Sequence, residues 1–310
     1  MKIAVFMGGS SEEREVSLHS GNAVFEGLKK NHEVTLFDVE WKGKDTLFTA
    51  IKEIKNVGMD IVFSVLHGGL GENGGIQSIL EAAGIEYTGS GITASAIAMN
   101  KDITKTLFVH HDIPTAAWFT GTCDSIDSLR IESEIGLPCV IKPVDQGSTL
   151  GLSVVKAPRE TDAAIVKASV YSNTIIVEKY ISGKELSVPI LGDRALPVIE
   201  IQPSHEIYDY ECKYKPGMTD YCIPAPIPDS LTSEISSLAL KAFKVLGLRD
   251  IARIDFRLDE QNRPLCFEAN TLPGMTETSL VPKSAAKAGI DFPELVSTIA
   301  QLAYQRKGKK

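Results

Sequence analysis

Residues 251–274 read I-A-R-I-D-F-R-L-D-E-Q-N-R-P-L-C-F-E-A-N-T-L-P-G. Residues 251–258 alternate apolar and polar, the period of a half-buried strand. Residues 265–271 do so more loosely, and 259–264 carry turn chemistry. A hairpin centred on Gln261 and Asn262 sets Asp255 opposite Glu268 and Arg253 opposite Asn270, all four on one face. Directly opposed carboxylates repel each other, and a divalent cation between them relieves the repulsion. Two carboxylates and an amide oxygen are hard ligands of the kind Mg²⁺ accepts, with phosphate oxygens and water completing its octahedron. A charged strand face that simply meets water accounts for the same pattern.

Upstream of this hairpin, residues 228–246 form an amphipathic helix, with Asp229 or Ser230 as N-cap and Gly247 just past its end. Residues 202–223 lack periodicity and contain Y-D-Y-E-C-K-Y-K, which reads as a lid or binding loop. Strands are expected at 186–192 and 195–201, with a turn at Gly192 and Asp193. Residues 138–143, P-C-V-I-K-P, form a strand that runs into V-D-Q-G-S-T-L-G at 144–151. Gly147 and Gly151 permit close approach, Ser148 and Thr149 supply hydroxyls, and Lys142 a point charge, a set suited to phosphates. It is not a Walker A loop, because no G-K-[ST] precedes a helix.

The chain opens with a strand at 2–7, a Gly-Gly-Ser-Ser turn and a helix from about 13 to 30, the start of an α/β unit. No G-x-G-x-x-G is present. Glu15, in the first helical turn, complements the helix dipole by position alone. A nearly all-apolar strand at 60–66 ends in H-G-G-L-G-E-N-G-G-I-Q, residues 67–77. Glycines there suit either a backbone that approaches a ligand or a flexible surface loop. Lys101 and Lys105 are four apart and share a face of a helix running to about 111, ordinarily a solvated one.

The 310 residues suffice for two or three domains. A net charge of −8 disfavours a nucleic-acid partner, and the basic residues at 306–310 read as a solvated tail. Five scattered cysteines without a C-x-x-C pair indicate neither a disulfide framework nor zinc. No apolar run is long enough for a signal peptide or a membrane span, so the expected location is cytoplasmic.

Taken together and in order, G-G-S-S-E-E-R-E-V-S-L, the 67–77 loop, Y-T-G-S-G, A-M-N-K-D-I-T-K, V-I-K-P-V-D-Q-G-S-T-L-G, E-K-Y-I-S-G-K-E, Y-D-Y-E-C-K-Y, R-I-D-F and E-A-N-T-L-P-G-M-T-E-T-S-L resemble the ATP-grasp superfamily, and within it the D-alanine–D-alanine ligases. The resemblance spans essentially the whole chain. It implies an ATP-grasp fold of α/β and α+β parts: an N-terminal open parallel α/β domain (1–95), a central subdomain (96–185) and a C-terminal catalytic subdomain (186–310) with the lid at 202–223. It implies ATP and two Mg²⁺ ions (Mn²⁺ as a substitute) held by Asp255, Glu268 and Asn270. Lys101 and Lys142 would bind phosphates under the Ser148–Thr149 loop, and Lys213 would approach the transferred phosphate. Glu178, Lys179 and Ile181 match the segment that reads adenine, and Glu185 the residue that holds ribose. Glu15, Ser148 and Tyr214 match a hydrogen-bonded trio beside the amino acids. Arg253 and the N–H of Gly274 match the oxyanion site, His67 the first substrate's carboxylate environment, and Ser279 and Leu280 the second amino acid's site. The implied reaction joins two D-alanines through a D-alanyl phosphate, releasing ADP and phosphate, for peptidoglycan synthesis. The implied assembly is a homodimer. Relatives that make D-alanyl-D-lactate tend to carry Phe at the position of Tyr214, so Tyr214 favours an amine as second substrate. Departures are confined to Asn73, Gly75, Thr149, Tyr180 and Ala269, and none removes a catalytic group.

Overall fold

The computed structural model describes residues 1–41, 46–205, 207–208, 210–215 and 217–307. The first six elements are β1 (Lys2–Gly8), α1 (Arg14–Leu28), β2 (Glu33–Val39), α2 (Thr46–Val57), β3 (Ile61–Ser64) and α3 (Gly75–Ala82). The strands form a parallel sheet in the order β2-β1-β3. Alternation in β1 sends Ile3 and Val5 into one apolar cluster and Ala4 and Phe6 into another, so both faces are covered.

The chain continues with α4 (Ile92–Met99), α5 (Lys101–His110), β4 (Trp118–Gly121), α6 (Ser128–Glu134), β5 (Cys139–Pro143), β6 (Ser153–Val155), α7 (Thr161–Ser169) and β7 (Ile175–Lys179). The helix expected to end near 111 is α5, and it is set off from α4 at Asn100, whose extended backbone ends α4 while its Oδ1 accepts from Ile103 N–H at 3.1 Å and caps α5. The four strands form an antiparallel sheet, β4-β7-β5-β6.

The rest comprises β8 (Lys184–Leu191), β9 (Arg194–Ala195), β10 (Ile199–Pro203), α8 (Tyr210–Tyr214), β11 (Thr219–Cys222), α9 (Asp229–Val245), β12 (Ile251–Leu258), β13 (Pro264–Asn270), α10 (Leu280–Lys287) and α11 (Phe292–Tyr304). The third sheet runs β11-β10-β8-β12-β13, with β9 beside β8. The expected strand 195–201 is interrupted ahead of β10, at a stretch containing Pro197, which has no N–H for the ladder. The 202–223 segment is not structureless: β10 runs into it, α8 lies within it, and β11 returns to pair Glu200 with Cys222 and Pro203 with Thr219. That pairing depends on a partner strand which local periodicity does not reveal. Helix α9 begins at Asp229 without a side-chain cap, rather than after one, and packs on this sheet.

Two features tie the C-terminus to the first sheet. Helices α10 and α11 share a cluster with β1, β3 and α1, and a Cβ on Gly27 would sit 3.0 Å from Val296. The basic end is also not a solvated tail where it is described. Arg306 Nη2 donates to Asp250 Oδ2 and to the Tyr87 carbonyl, both at 2.9 Å, and Lys307 pairs with Asp60 at 2.8 Å. Only distant residues brought together by the fold supply those partners.

Candidate active site

Strand β12 lies between β8 and β13, so its charged face has a paired strand on either side. Arg253 pairs with Asn270 and Asp255 with Glu268, as the hairpin predicts, but a bulge beyond Asp255 gives Phe256 opposite Cys266. The extra residue, Phe267, shifts the turn by half a step without disturbing the four polar residues. Arg253 forks onto Asp255, with Nε 2.9 Å from Oδ1 and Nη2 2.8 Å from Oδ2, and Ser187 Oγ donates to Oδ1 at 2.6 Å. Lys101 Nζ lies 3.5 Å from Glu268 and donates to the Gln146 carbonyl at 2.6 Å. Burial opposes the charge on Glu268, but Lys101, Lys213 and Lys142 hold its carboxyl down at about 2. Asn270 Oδ1 accepts from Leu272 N–H at 3.0 Å and keeps a second lone pair. Two opposed carboxylates and an amide oxygen on one strand face are a donor set that fits a divalent cation.

The phosphate-type loop carries two adjacent non-glycine residues in the left-handed region, Ser148 at φ 50° and Thr149 at φ 65°. Such backbone persists only where its surroundings hold it. Here Ser148 Oγ donates to Glu13 and Thr149 Oγ1 donates to the Tyr208 carbonyl at 3.2 Å. The loop therefore joins the N-terminal helix to the 202–223 segment. The partner is Glu13, not Glu15: Glu13 is buried just before α1 while Glu15, on its first turn, is exposed. Residues two apart on a helix point to different faces, so the trio's acidic member is corrected to Glu13. Its carboxyl is pushed up by burial and by Glu72, against the Ser148 hydrogen bond and the charges of His67 and Lys213. His67 is buried, 3.3 Å from Ser20 Oγ and 3.8 Å from Glu72. Tyr214 ends α8, and its side chain lies outside the described residues.

Lys142 on β5 and Glu178 on β7 are diagonal neighbours on adjacent strands, with Nζ 2.7 Å from Oε2. Lys105 reaches the other carboxylate oxygen at 3.1 Å. Both Lys101 and Lys105 are buried, so their shared face turns inward and not to solvent. Burial pushes the Glu185 carboxyl up, and Arg257 at 2.9 Å offsets only part of that push. Lys179 and Ile181 line the same cavity. Sequence reasoning missed Glu13, Glu72, Lys105, Ser187 and Arg257. For Lys105 the four-residue spacing from Lys101 was the available signal, and for Glu13 its place immediately before the helix.

Two cavities meet at Tyr208, Lys213, Arg253 and Glu268. The larger, about 650 Å³, is lined by Glu13, His67, Ser148, Gly274, Ser279 and Leu280 among others. A Cβ on Gly274 would lie 2.8 Å from Ser279 Oγ, so that turn is closely packed. The smaller, about 120 Å³, holds Lys101, Lys142, Thr149, Glu178 and Glu185. One joint site thus has a cationic, metal-competent side and a polar side closed by the N-terminal helix. Such an arrangement suits transfer of a phosphoryl group to a small acid sealed from water.

Comparison with known proteins agrees. Residues 107–301 match the family described as D-ala D-ala ligase C-terminus, and residues 40–90 match D-ala D-ala ligase N-terminus. The chain is 42% identical to the D-alanine–D-alanine ligase of Pelotomaculum thermopropionicum, covering 99% of this chain and 98% of that one. The Bacillus anthracis D-alanine–D-alanine ligase crystal structure superposes with a TM-score of 0.87 at 32% identity, over 100% of this chain and 99% of that one. The D-Ala:D-Ser ligase VanG of Enterococcus faecalis superposes at 0.83 with 28% identity, over 97% and 99%.

Proposed function

Because the chain belongs to the D-alanine–D-alanine ligase family, an ATP-grasp family, we propose that the joint site just described is where it couples ATP cleavage to D-alanyl-D-alanine formation for peptidoglycan synthesis. The enzyme is an ATP-dependent ligase. The observation that carries the site assignment is the loop at Ser148 and Thr149, bonded at once to Glu13 and to the lid segment, over the line where the two cavities meet.

The carboxylate of the first D-alanine, in the larger cavity near His67, attacks the γ-phosphorus of ATP; the bond to the β-γ bridging oxygen breaks and ADP leaves. Lys101, Lys142 and Lys213 neutralise the phosphates. Asp255, Glu268 and Asn270 would hold Mg²⁺, or Mn²⁺ in its place, which when bound supplies further positive charge to the phosphate oxygens. The amine of the second D-alanine, near Ser279 and Leu280, then attacks the acyl carbon of D-alanyl phosphate. Arg253 and the Gly274 N–H donate to the developing oxyanion, and phosphate departs as the peptide bond forms. Glu13, through Ser148, keeps the loop shut over the water-sensitive acyl phosphate. Glu178, Lys179 and Ile181 contact the base, and Glu185 the ribose. The division at 1–95, 96–185 and 186–310 gives a substrate domain and two ATP-holding subdomains, and the reading extends to a cytoplasmic homodimer, which sedimentation measures.

Product analysis by mass spectrometry tests this. Purified protein receives ATP, Mg²⁺ and D-alanine, alone and with D-serine, D-lactate or L-alanine, while phosphate release is followed. The expected result is D-alanyl-D-alanine with one phosphate released per dipeptide. ATP binding without phosphate release under any amino acid overturns the reading.

A further inference from the structure

Lys105 takes no part in the mechanism above, yet it is a fully buried lysine. Its Nζ donates to Thr115 Oγ1 at 2.7 Å, faces the Trp118 ring at 5.1 Å and lies 3.1 Å from Glu178 Oε1. It does not line the small cavity, whereas Glu178 and Lys142 do. A buried ammonium is costly to keep and marks a site that requires its charge.

Glu178 is the group that requires it. Its Oε2 is held by Lys142 at 2.7 Å. Its Oε1 is buried, and the approach of Lys105 falls short of hydrogen-bond geometry, so this atom retains acceptor capacity. The cavity around it is walled by Val140, Ile181, Leu265 and Phe267, apolar surfaces suited to the faces of a planar base. Lys142 also faces the phosphates of a bound nucleotide, so its charge is shared once ATP arrives. Lys105 has no path to the ligand and stays with the carboxylate. Lys101, the remaining cation near Glu178, is engaged by Glu268 and the Gln146 carbonyl.

We propose that Lys105 is the permanent counter-ion that keeps Glu178 an ionised, acceptor-only group, and that this pair makes the site choose a 6-amino purine over a 6-oxo purine. This rests on the assignment of the small cavity to ATP. An ionised carboxylate accepts from an exocyclic amine and repels a carbonyl oxygen in the same place. Without Lys105 the carboxyl is free to hold its proton and donate to that carbonyl. Lys105 is thus a positioning residue that acts through Glu178.

The test compares ATP with inosine triphosphate on the full-length protein with Mg²⁺. Affinities are read by calorimetry, and KM and kcat by D-alanine-dependent phosphate release. In Lys105→Met the preference for ATP over inosine triphosphate is expected to fall about tenfold or more, the scale of one hydrogen bond to a charged group, while KM for D-alanine stays within twofold. Glu178→Gln, whose amide both donates and accepts, is expected to lose the same preference and provides the reading if Lys105→Met does not fold. A merely structural lysine would weaken both nucleotides equally; an unchanged ratio in either folded variant overturns the proposal. Wild-type protein that binds ATP selectively but forms no dipeptide would sink the ligase reading and leave this one standing. Wild-type protein that ligates with both nucleotides equally well would do the reverse.

Discussion

The replacement of Glu13 and Glu15, one at a time, by glutamine separates two carboxylates that sit two residues apart. Glu13 is 9% exposed and accepts from Ser148 Oγ, whereas Glu15 is exposed on the first turn of α1. A hydrogen bond to a charged group contributes ~1.5–3 kcal/mol, against ~0.5–1.5 for a neutral one. Glutamine retains an acceptor but not the charge, so Glu13→Gln gives up roughly 1–2 kcal/mol of loop closure. That corresponds to a roughly 5- to 30-fold fall in kcat/KM for D-alanine, since about 1.4 kcal/mol is tenfold. Glu15→Gln is an exposed change of about 0.5 kcal/mol or less, within roughly twofold. The assay is phosphate release at saturating ATP with D-alanine varied. Ser148→Ala should cost about as much as Glu13→Gln, and the double variant little more than either, because all three break one contact. Stability moves the other way. Burial and then Glu72 raise the Glu13 carboxyl above its ordinary value. A raised carboxyl stabilises the fold below its unfolded value and loses that contribution as pH rises through the folded one. Above its raised folded value Glu13 is therefore a cost, and there Glu13→Gln should melt higher than wild type, with the difference shrinking as pH falls through that value. A larger activity loss from Glu15→Gln than from Glu13→Gln refutes the assignment.

Arg253→Ala is expected to lower turnover by about 100-fold or more, by analogy with loss of one oxyanion donor; single-turnover phosphate release near wild type would contradict the role. Gly274→Ala forces a Cβ to 2.8 Å from Ser279 Oγ, and at ~1–3 kcal/mol for overpacking it should raise KM for the second D-alanine about tenfold, measured by dipeptide yield. Glu178 is held at about 2: burial opposes its charge, but Lys105 and Lys142 outweigh it. A depressed carboxyl stabilises the fold above its unfolded value, about 4.3, and loses this as pH falls through the folded one. Urea midpoints should therefore fall between pH 4.5 and 2, and Glu178→Gln should flatten that limb; an identical acid limb in the variant would refute the pairing. Chelation of divalent cations should abolish turnover and Mn²⁺ should restore it, if Asp255, Glu268 and Asn270 hold the ion.

Sequence alone determined whatever is encoded locally. The two-residue period of β12 and β13 put Arg253, Asp255, Glu268 and Asn270 on one face, because alternation and a short turn leave few registers. The bulge at Phe267 did not alter the pairing of those four residues. The G-S-T loop and Lys142 were legible because glycine and hydroxyl chemistry are local. Tertiary structure decided which charges meet. Glu13 and Ser148 are 135 residues apart, and the choice between Glu13 and Glu15 turns on which side of α1 packs inward. Lys105 looked like half of a solvated face until β7 brought Glu178 against it. The 202–223 segment became a strand pair because β10 was already held by β8. Arg306 left the supposed tail because Asp250 and the Tyr87 carbonyl converge on it. Burial and ion pairing are relations between distant segments, and periodicity carries no information about distance across the fold.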